Sequence, residues 1–178
     1  MRLTTYTGTE FVPSDPIAAD VHPLDIIHPL SMQCRYGGHV KRFYSVAEHC
    51  VHLSRVVSPK NALWALLHDA SEAYIVDIPA PVKVLLPEYL GIEAKIMAVV
   101  CERFGLPLEM PDEVREADIR IRSDEGLFLI NGEHPWIVPQ DAFGVELGCW
   151  APAHARMVFM SRLRELWDGW SDDFSLLP

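Results

Sequence analysis

The sequence predicts an all-α fold of about six or seven helices with a small N-terminal β-hairpin. Three observations carry this expectation. Apolar residues recur with the 3.6-residue helical period through most of the chain, helix-start signals precede the stripes, and strand-like alternation is confined to residues 3–12. At 178 residues and 49% hydrophobic, with no repeat, linker or low-complexity tract, the chain suits one domain over 1–178 with a substantial core.

Residues 3–12 alternate around Gly8 and read as the hairpin, which Pro13 and Pro16 end. A first helix is expected from about Leu24 to Cys34, followed by a glycine-containing basic loop, Arg35 to Arg42. Ser45-Val46-Ala47-Glu48 has the form of a capping box and opens a second helix. Val46, His49, Cys50, Leu53 and Val57 share its inward stripe, with His52 nearer the edge. Ser58-Pro59 is read as N-cap and first residue of a central helix that runs to Tyr74, with Leu63, Leu66, Leu67, Ala70 and Tyr74 on one side. Pro79 and Pro81 then break the chain, a short helix reaches Leu86, and a longer one spans about Glu88 to Phe104, stopped by Gly105 and Pro107. Pro111-Asp112-Glu113 places acidic residues where a helix dipole favours them and opens the next helix, whose inward stripe is Val114, Ala117, Asp118 and Ile121. Residues 131–150 read as an irregular connection, and a last amphipathic helix covers about Ala153 to Trp167.

The central helix holds the chemistry. From Asn61 to Val82 there is no Lys or Arg, yet His68, Asp69, Glu72 and Asp77 lie there on a segment apolar on nearly all sides. Buried carboxylates need a cation, supplied either by a satisfied core His or by a metal ion. With His49 and Asp118 on inward stripes of two other helices, four metal-type ligands converge from three helices: His49, His68, Asp69 and Asp118. Mixed imidazole and carboxylate ligands suit one divalent ion of Zn, Mn, Co, Fe or Ni. Glu72, one turn from His68, is placed to shuttle a proton. Arg35, Lys41, Arg42 and Lys83 are candidates for holding phosphate. Lys41 and Arg42 fit an ordinary solvated turn equally well, and His39 fits a turn cap as well as a phosphate contact.

The order His…His-Asp…Asp resembles the signature of HD-domain phosphohydrolases. Ala47-Glu48-His49, His68-Asp69-Ala70-Ser71-Glu72, Asp77-Ile78-Pro79-Ala80-Pro81-Val82-Lys83 and Glu116-Ala117-Asp118 are similar to the bacterial HD-domain 5'-deoxynucleotidases, and to related phage enzymes that hydrolyse deoxynucleoside triphosphates. The similarity covers roughly residues 24–125. It implies an HD-domain helical bundle in which His49, His68, Asp69 and Asp118 hold one divalent metal. It further implies that Glu72 and Asp77 handle water and proton transfer, and that Arg35 grips phosphate with Lys83 at its motif position. In the deoxynucleotidases Trp follows that Arg, whereas here Tyr36 does. The implied activity is hydrolysis of (deoxy)nucleoside 5'-phosphates, as a 5'-deoxynucleotidase or a dNTP triphosphohydrolase. The alternatives are an HD-type phosphodiesterase or alarmone hydrolase, and a catalytically silent nucleotide- or partner-binding HD module.

Composition narrows the partners. A formal net charge of −10 opposes polynucleotide binding, so a small nucleotide is the expected substrate. No apolar run reaches membrane-spanning length, the N-terminus has no signal-peptide profile, and four scattered cysteines without a CxxC suit a reducing, cytoplasmic setting. Trp and Met residues in the last helix read as core or subunit contacts, and a homo-oligomer, a dimer or a multiple of dimers, is expected.

Overall fold

The computed structural model describes residues 1–171. It is all-α with one two-stranded hairpin, as the sequence predicts. Strands β1 (Leu3–Thr4) and β2 (Glu10–Phe11) pair antiparallel, Leu3 opposite Phe11, around Gly8 at φ 86°. Eight helical segments follow: α1 (Pro23–Met32), α2 (Val46–Val56), α3 (Ala62–Leu67), α4 (Glu72–Ile75), α5 (Ala80–Lys83), α6 (Pro87–Phe104), α7 (Asp112–Leu129) and α8 (Pro152–Leu166). Among the described residues, no helix is long and apolar enough to cross a membrane.

The helices close around α2. Its inward side meets α1, α3, α7 and α8, and Phe11, Leu24, Ile27, Leu30, Val46, Cys50, Leu66, Leu67 and Phe159 are buried between them. Full burial of each large apolar side chain contributes about 1.5–3 kcal/mol, so this cluster fixes α2 against α3, while α7 is placed by a second buried cluster in which its Val114, Ala117 and Ile121 meet Leu53, Ala62 and Ala65. The hairpin is tied down by a residue the periodicity does not flag. Asp25 in α1, almost wholly buried, accepts from the Thr7 amide at 2.7 Å and from the Thr5 and Thr7 hydroxyls at 2.8 Å each.

Three expected local features differ. The Ser45 hydroxyl does accept from the Glu48 amide at 3.1 Å, but the Glu48 carboxylate does not return to Ser45. It accepts from the backbone amides of Cys149 and Trp150 at 2.9 and 2.7 Å, because this buried charge reaches two unpaired donors of the 131–150 connection. Ser58 makes no side-chain cap; its amide and hydroxyl both donate to Glu113, and Pro59–Asn61 form a 3-10 turn before α3. The central helix is not continuous. Between α3 and α4 the amides of Ala70, Glu72 and Tyr74 each reach back three residues, to Leu67, Asp69 and Ser71. A three-residue repeat aligns residues i and i+3, so Asp69 and Glu72 project along one line, which a regular α-helix would not give.

Candidate metal centre

Three helical elements bring the ligand atoms together. His49 comes from the middle of α2, His68 and Asp69 from the tightened turn after α3, and Asp118 from the inward face of α7. His49 Nε2 and His68 Nε2 stand 3.2 Å apart. Asp118 Oδ1 lies 3.2 Å from His49 Nε2 and 3.8 Å from His68 Nε2, while Asp69 Oδ2 lies 3.2 Å from His68 Nε2 and 3.8 Å from His49 Nε2. His49 and His68 are buried, and the Asp118 side chain is 34% exposed, so the group opens to solvent at the Asp118 edge. His49, His68 and Asp118 form a group that could hold a metal ion.

The outer nitrogens of both rings are already committed. His68 Nδ1 lies 2.8 Å from the carbonyl oxygen of Ala65, which can only accept, so this nitrogen carries hydrogen. His49 Nδ1 lies 2.6 Å from Glu125 Oε1. Burial opposes ionisation of Glu125, but Arg35 and His49 outweigh it and hold the carboxyl at about 2, so it too accepts. Both Nε2 atoms are thereby turned inward, where neutral rings would face each other lone pair to lone pair. Only positive charge between them, a metal ion or a proton on one ring, makes the arrangement favourable. The same demand appears in the ring pKa values. Burial lowers both, yet the neighbouring carboxylates prevail and raise His49 and, strongly, His68. Burial likewise works against the Asp118 carboxylate, and the two histidines overcome it and hold its pKa well below the usual range.

Three of the four expected donors, His49, His68 and Asp118, fit a divalent ion together; Asp69 approaches His68 but does not join that group. Ligand atoms about 2.0–2.2 Å from one cation, at tetrahedral or octahedral angles, stand about 2.8–3.6 Å apart; the 3.2 Å separations fall inside that range and the 3.8 Å ones just outside it. Cys50, His68 and Asp69 make a second such group. It is the weaker one, because Cys50 Sγ approaches His68 at Nδ1, 3.9 Å away and already bonded to Ala65, and because burial pushes the Cys50 thiol up to about 11 and keeps it protonated.

The other expected site residues divide into those at the cluster and those away from it. Arg35 is there: one guanidinium nitrogen is 3.4 Å from Asp69 Oδ2, the other 3.2 Å from Glu125 Oε2, and its Nε has no protein acceptor. Glu72 is buried, with Oε1 3.1 Å from Lys83 Nζ and Oε2 unpartnered. Burial, then Asp69 and Asp77, raise its pKa well above the ordinary value. Lys83 is shared between Glu72 and Glu93, the latter at 2.8 Å. Asp77 is half-buried, and burial together with Asp69 raises its pKa against the pull of Arg35, Lys83 and His49. Its approach is set by Val76, whose φ of 72° and ψ of 146° are strained for a β-branched residue. Val76 is fastened at its amide to Glu72 and at its carbonyl to the Tyr89 hydroxyl. His39, Lys41 and Arg42 are exposed on the loop after the Arg35–Gly38 turn and form no side-chain hydrogen bond or ion pair among the described residues.

Two neighbours of the cluster, Glu125 and Gln33, escape the sequence reading, and a third, Tyr36, enters it only as the residue that follows Arg35. Glu125 is one helical step beyond the stripe Val114, Ala117, Asp118 and Ile121, and extending that stripe finds it. Tyr36, at φ 57° and ψ 26°, donates its hydroxyl to Glu125 Oε2 at 2.5 Å. Gln33 donates to the Glu72 carbonyl at 3.0 Å and accepts from the Asp77 amide at 2.9 Å, joining the two acidic residues through one side chain. Neither Tyr36 nor Gln33 leaves a periodic signal.

No protein-family model matches the chain. It is similar, at 34% identity over 113 residues, to an uncharacterized protein of Rhodobacter capsulatus, with 58% of each chain covered. It is 40% identical over 169 residues to the uncharacterized protein YfdR of Escherichia coli strain K12, and the alignment takes in 92% of this chain and 94% of that one. Likeness of that extent places the chain in the same family as the Escherichia coli YfdR protein.

Proposed function

We propose that this protein is a divalent-metal-dependent phosphohydrolase acting on the 5'-phosphate of small nucleotides, most readily deoxynucleotides. The observation that carries the reading is the pair of inward Nε2 atoms of His49 and His68, 3.2 Å apart, flanked by Asp69 and Asp118 and bordered by the Arg35 guanidinium. In this reading His49, His68, Asp69 and Asp118 would hold one ion of Zn, Mn, Co, Fe or Ni. Such an ion polarises a phosphoryl oxygen and makes water acidic.

The chain's own groups supply the rest. Arg35 is held beside the cluster by two carboxylates, and its buried Nε is left without a protein acceptor, so the guanidinium keeps donor capacity next to the cluster. Glu72 has one free carboxylate oxygen and a raised pKa, which suits a group that takes up and returns a proton. Burial and then Asp69 do most to raise that pKa, and Asp77, within electrostatic reach of Glu72, adds to it. The net charge of −10 favours one nucleotide, neutralised locally, over a polynucleotide.

A catalytically silent nucleotide-binding module is the second reading, favoured by one observation: Lys83, expected to meet phosphate, is occupied by Glu72 and Glu93. Release of phosphate from a panel of nucleotides, with and without a chelator, separates the two. Orthophosphate from a deoxynucleoside monophosphate marks a nucleotidase, and inorganic triphosphate from a dNTP marks a triphosphohydrolase. Nucleotide binding without release by metal-loaded protein selects the module, and absence of both removes the nucleotide reading.

A further inference from the structure

From the structure we infer that Trp136, supported by Tyr36, is the surface on which the base of the nucleotide stacks; this rests on the nucleotide reading of the same site. Trp136 belongs to the irregular connection between α7 and α8, and 42% of its surface is exposed, unusual for a Trp otherwise so closely held. Its ring lies 5.9 Å from that of Tyr36, the two planes inclined by 23°. Tyr36 is in turn bonded through its hydroxyl to Glu125, the carboxylate that orients His49. An unbroken run of contacts thus leads from the exposed indole to the candidate metal centre. Arg35, the neighbour of Tyr36 in the chain, lies at the inner end, where the phosphate would sit.

The indole is fixed in advance of any ligand. Gly126, next to Glu125, lets the connection lie directly on α7: a Cβ there would stand 2.5 Å from the Ile137 side chain and 2.9 Å from the Trp136 ring. The Val138 amide donates to the Ser123 hydroxyl at 3.1 Å and holds the other side of the same turn. On the Tyr36 side, the left-handed backbone at φ 57° is unfavourable for a non-glycine residue. The bond to Glu125 and the ring contact with Trp136 offset that strain. The exposed His134 ring also lies 6.1 Å from the indole, inclined by 23°. A part-exposed aromatic surface held rigidly and linked through Tyr36 to a cationic, metal-type cluster has the chemistry that receives a flat heterocycle whatever its hydrogen-bonding edge.

The test is equilibrium binding to the metal-loaded full chain. The probes are a non-hydrolysable 5'-phosphonate analogue of deoxyadenosine monophosphate and a ring-free deoxyribose 5-phosphonate. The wild type is expected to bind the ring-bearing probe tighter by roughly 5- to 100-fold, the range carried by stacking on one aromatic side chain. Trp136→Leu is expected to erase most of that difference, and Trp136→Phe to keep most of it. A wild type that binds neither probe, or both equally, overturns the inference, as does a folded Trp136→Leu protein with its ring preference intact. A second readout does not need the Leu variant: the ring-bearing probe should quench tryptophan emission in the wild type and quench it less in Trp136→Phe. Undiminished quenching there also overturns the assignment. Ring-selective binding without phosphate release leaves the stacking surface standing and removes the hydrolase reading; release without ring preference does the reverse.

Discussion

Glu125 and His49 meet through a 2.6 Å contact in which one buried carboxylate settles which nitrogen of the imidazole is left for a cation. Glu125 also receives Arg35 and Tyr36, so a single side chain orients a candidate ligand, a candidate phosphate contact and an aromatic neighbour. Partners of this kind, one step behind the ligands, typically carry about 10–100-fold in metal affinity. Glu125→Ala should therefore weaken metal binding by that order, read by competition with a chromogenic chelator. It should also cost about 3–5 kcal/mol of stability in denaturant unfolding, because Arg35 is left as a buried, half-paired charge. Unchanged metal affinity would remove Glu125 from the centre.

Glu72→Gln should keep fold and metal while lowering turnover by roughly 10²–10⁴-fold, the usual share of a positioned acid or base. Burial first, then Asp69 and Asp77, raise the Glu72 pKa, whereas Lys83 pulls it down. If the ionised form works as the base, activity climbs with pH through a limb lying above the ordinary Glu range. Lys83→Gln should move that limb to higher pH, and Asp77→Asn should move it lower. A limb that ignores both substitutions assigns the proton to another group.

Glu113 ties the start of α7 to the turn before α3, accepting from the Ser58 amide at 2.8 Å and from the Ser58 hydroxyl and the Asn61 side chain. The Ser58 and Asn61 bonds lower its pKa. A carboxyl lowered on folding stabilises the protein above its unfolded value, and that contribution disappears as pH falls through the folded one. Glu113→Gln should accordingly lower the melting temperature in neutral buffer and make little difference in strongly acidic buffer. An equal loss at both pH values would show that the charge is not what matters.

Gly126→Ala should cost about 1–3 kcal/mol by overpacking, since the added methyl meets Ile137 and Trp136. The displaced turn should expose the indole further, seen as a red shift of the emission. A stability equal to that of the wild type would mean the 136–137 turn yields freely.

The sequence was most informative where burial and helical period coincide. The stripe Val114, Ala117, Asp118, Ile121 places Asp118 inward, and the stripe through Val46, Cys50 and Leu53 does the same for His49, because a polar residue among buried apolar ones is forced to share their direction. The break between Leu67 and Glu72 was not legible. Leu, Ala, Ser and Glu in that run sustain a helix, and only the tertiary setting tightens it. Ser58 and Glu48 have the pattern of local caps, but their shortest hydrogen bonds reach 55 and 102 residues away. Trp136 meets Tyr36 across a hundred residues of chain, a relationship that periodicity does not encode.

The diverted carboxylate of Glu48 has a consequence for how the molecule is made. Glu48 immediately precedes His49, and its acceptors are filled by the amides of Cys149 and Trp150. A growing chain that has completed α2, α3 and even α7 still carries, next to its first candidate ligand, a carboxylate whose donors lie about a hundred residues further along the chain. Closure over so long a stretch of sequence is slow relative to local helix formation. The start of α2 is thus latched from across the chain: residues 149 and 150 close the hydrogen bonds beside His49, and a nascent or clipped chain lacking them would leave the Glu48 carboxylate without these donors.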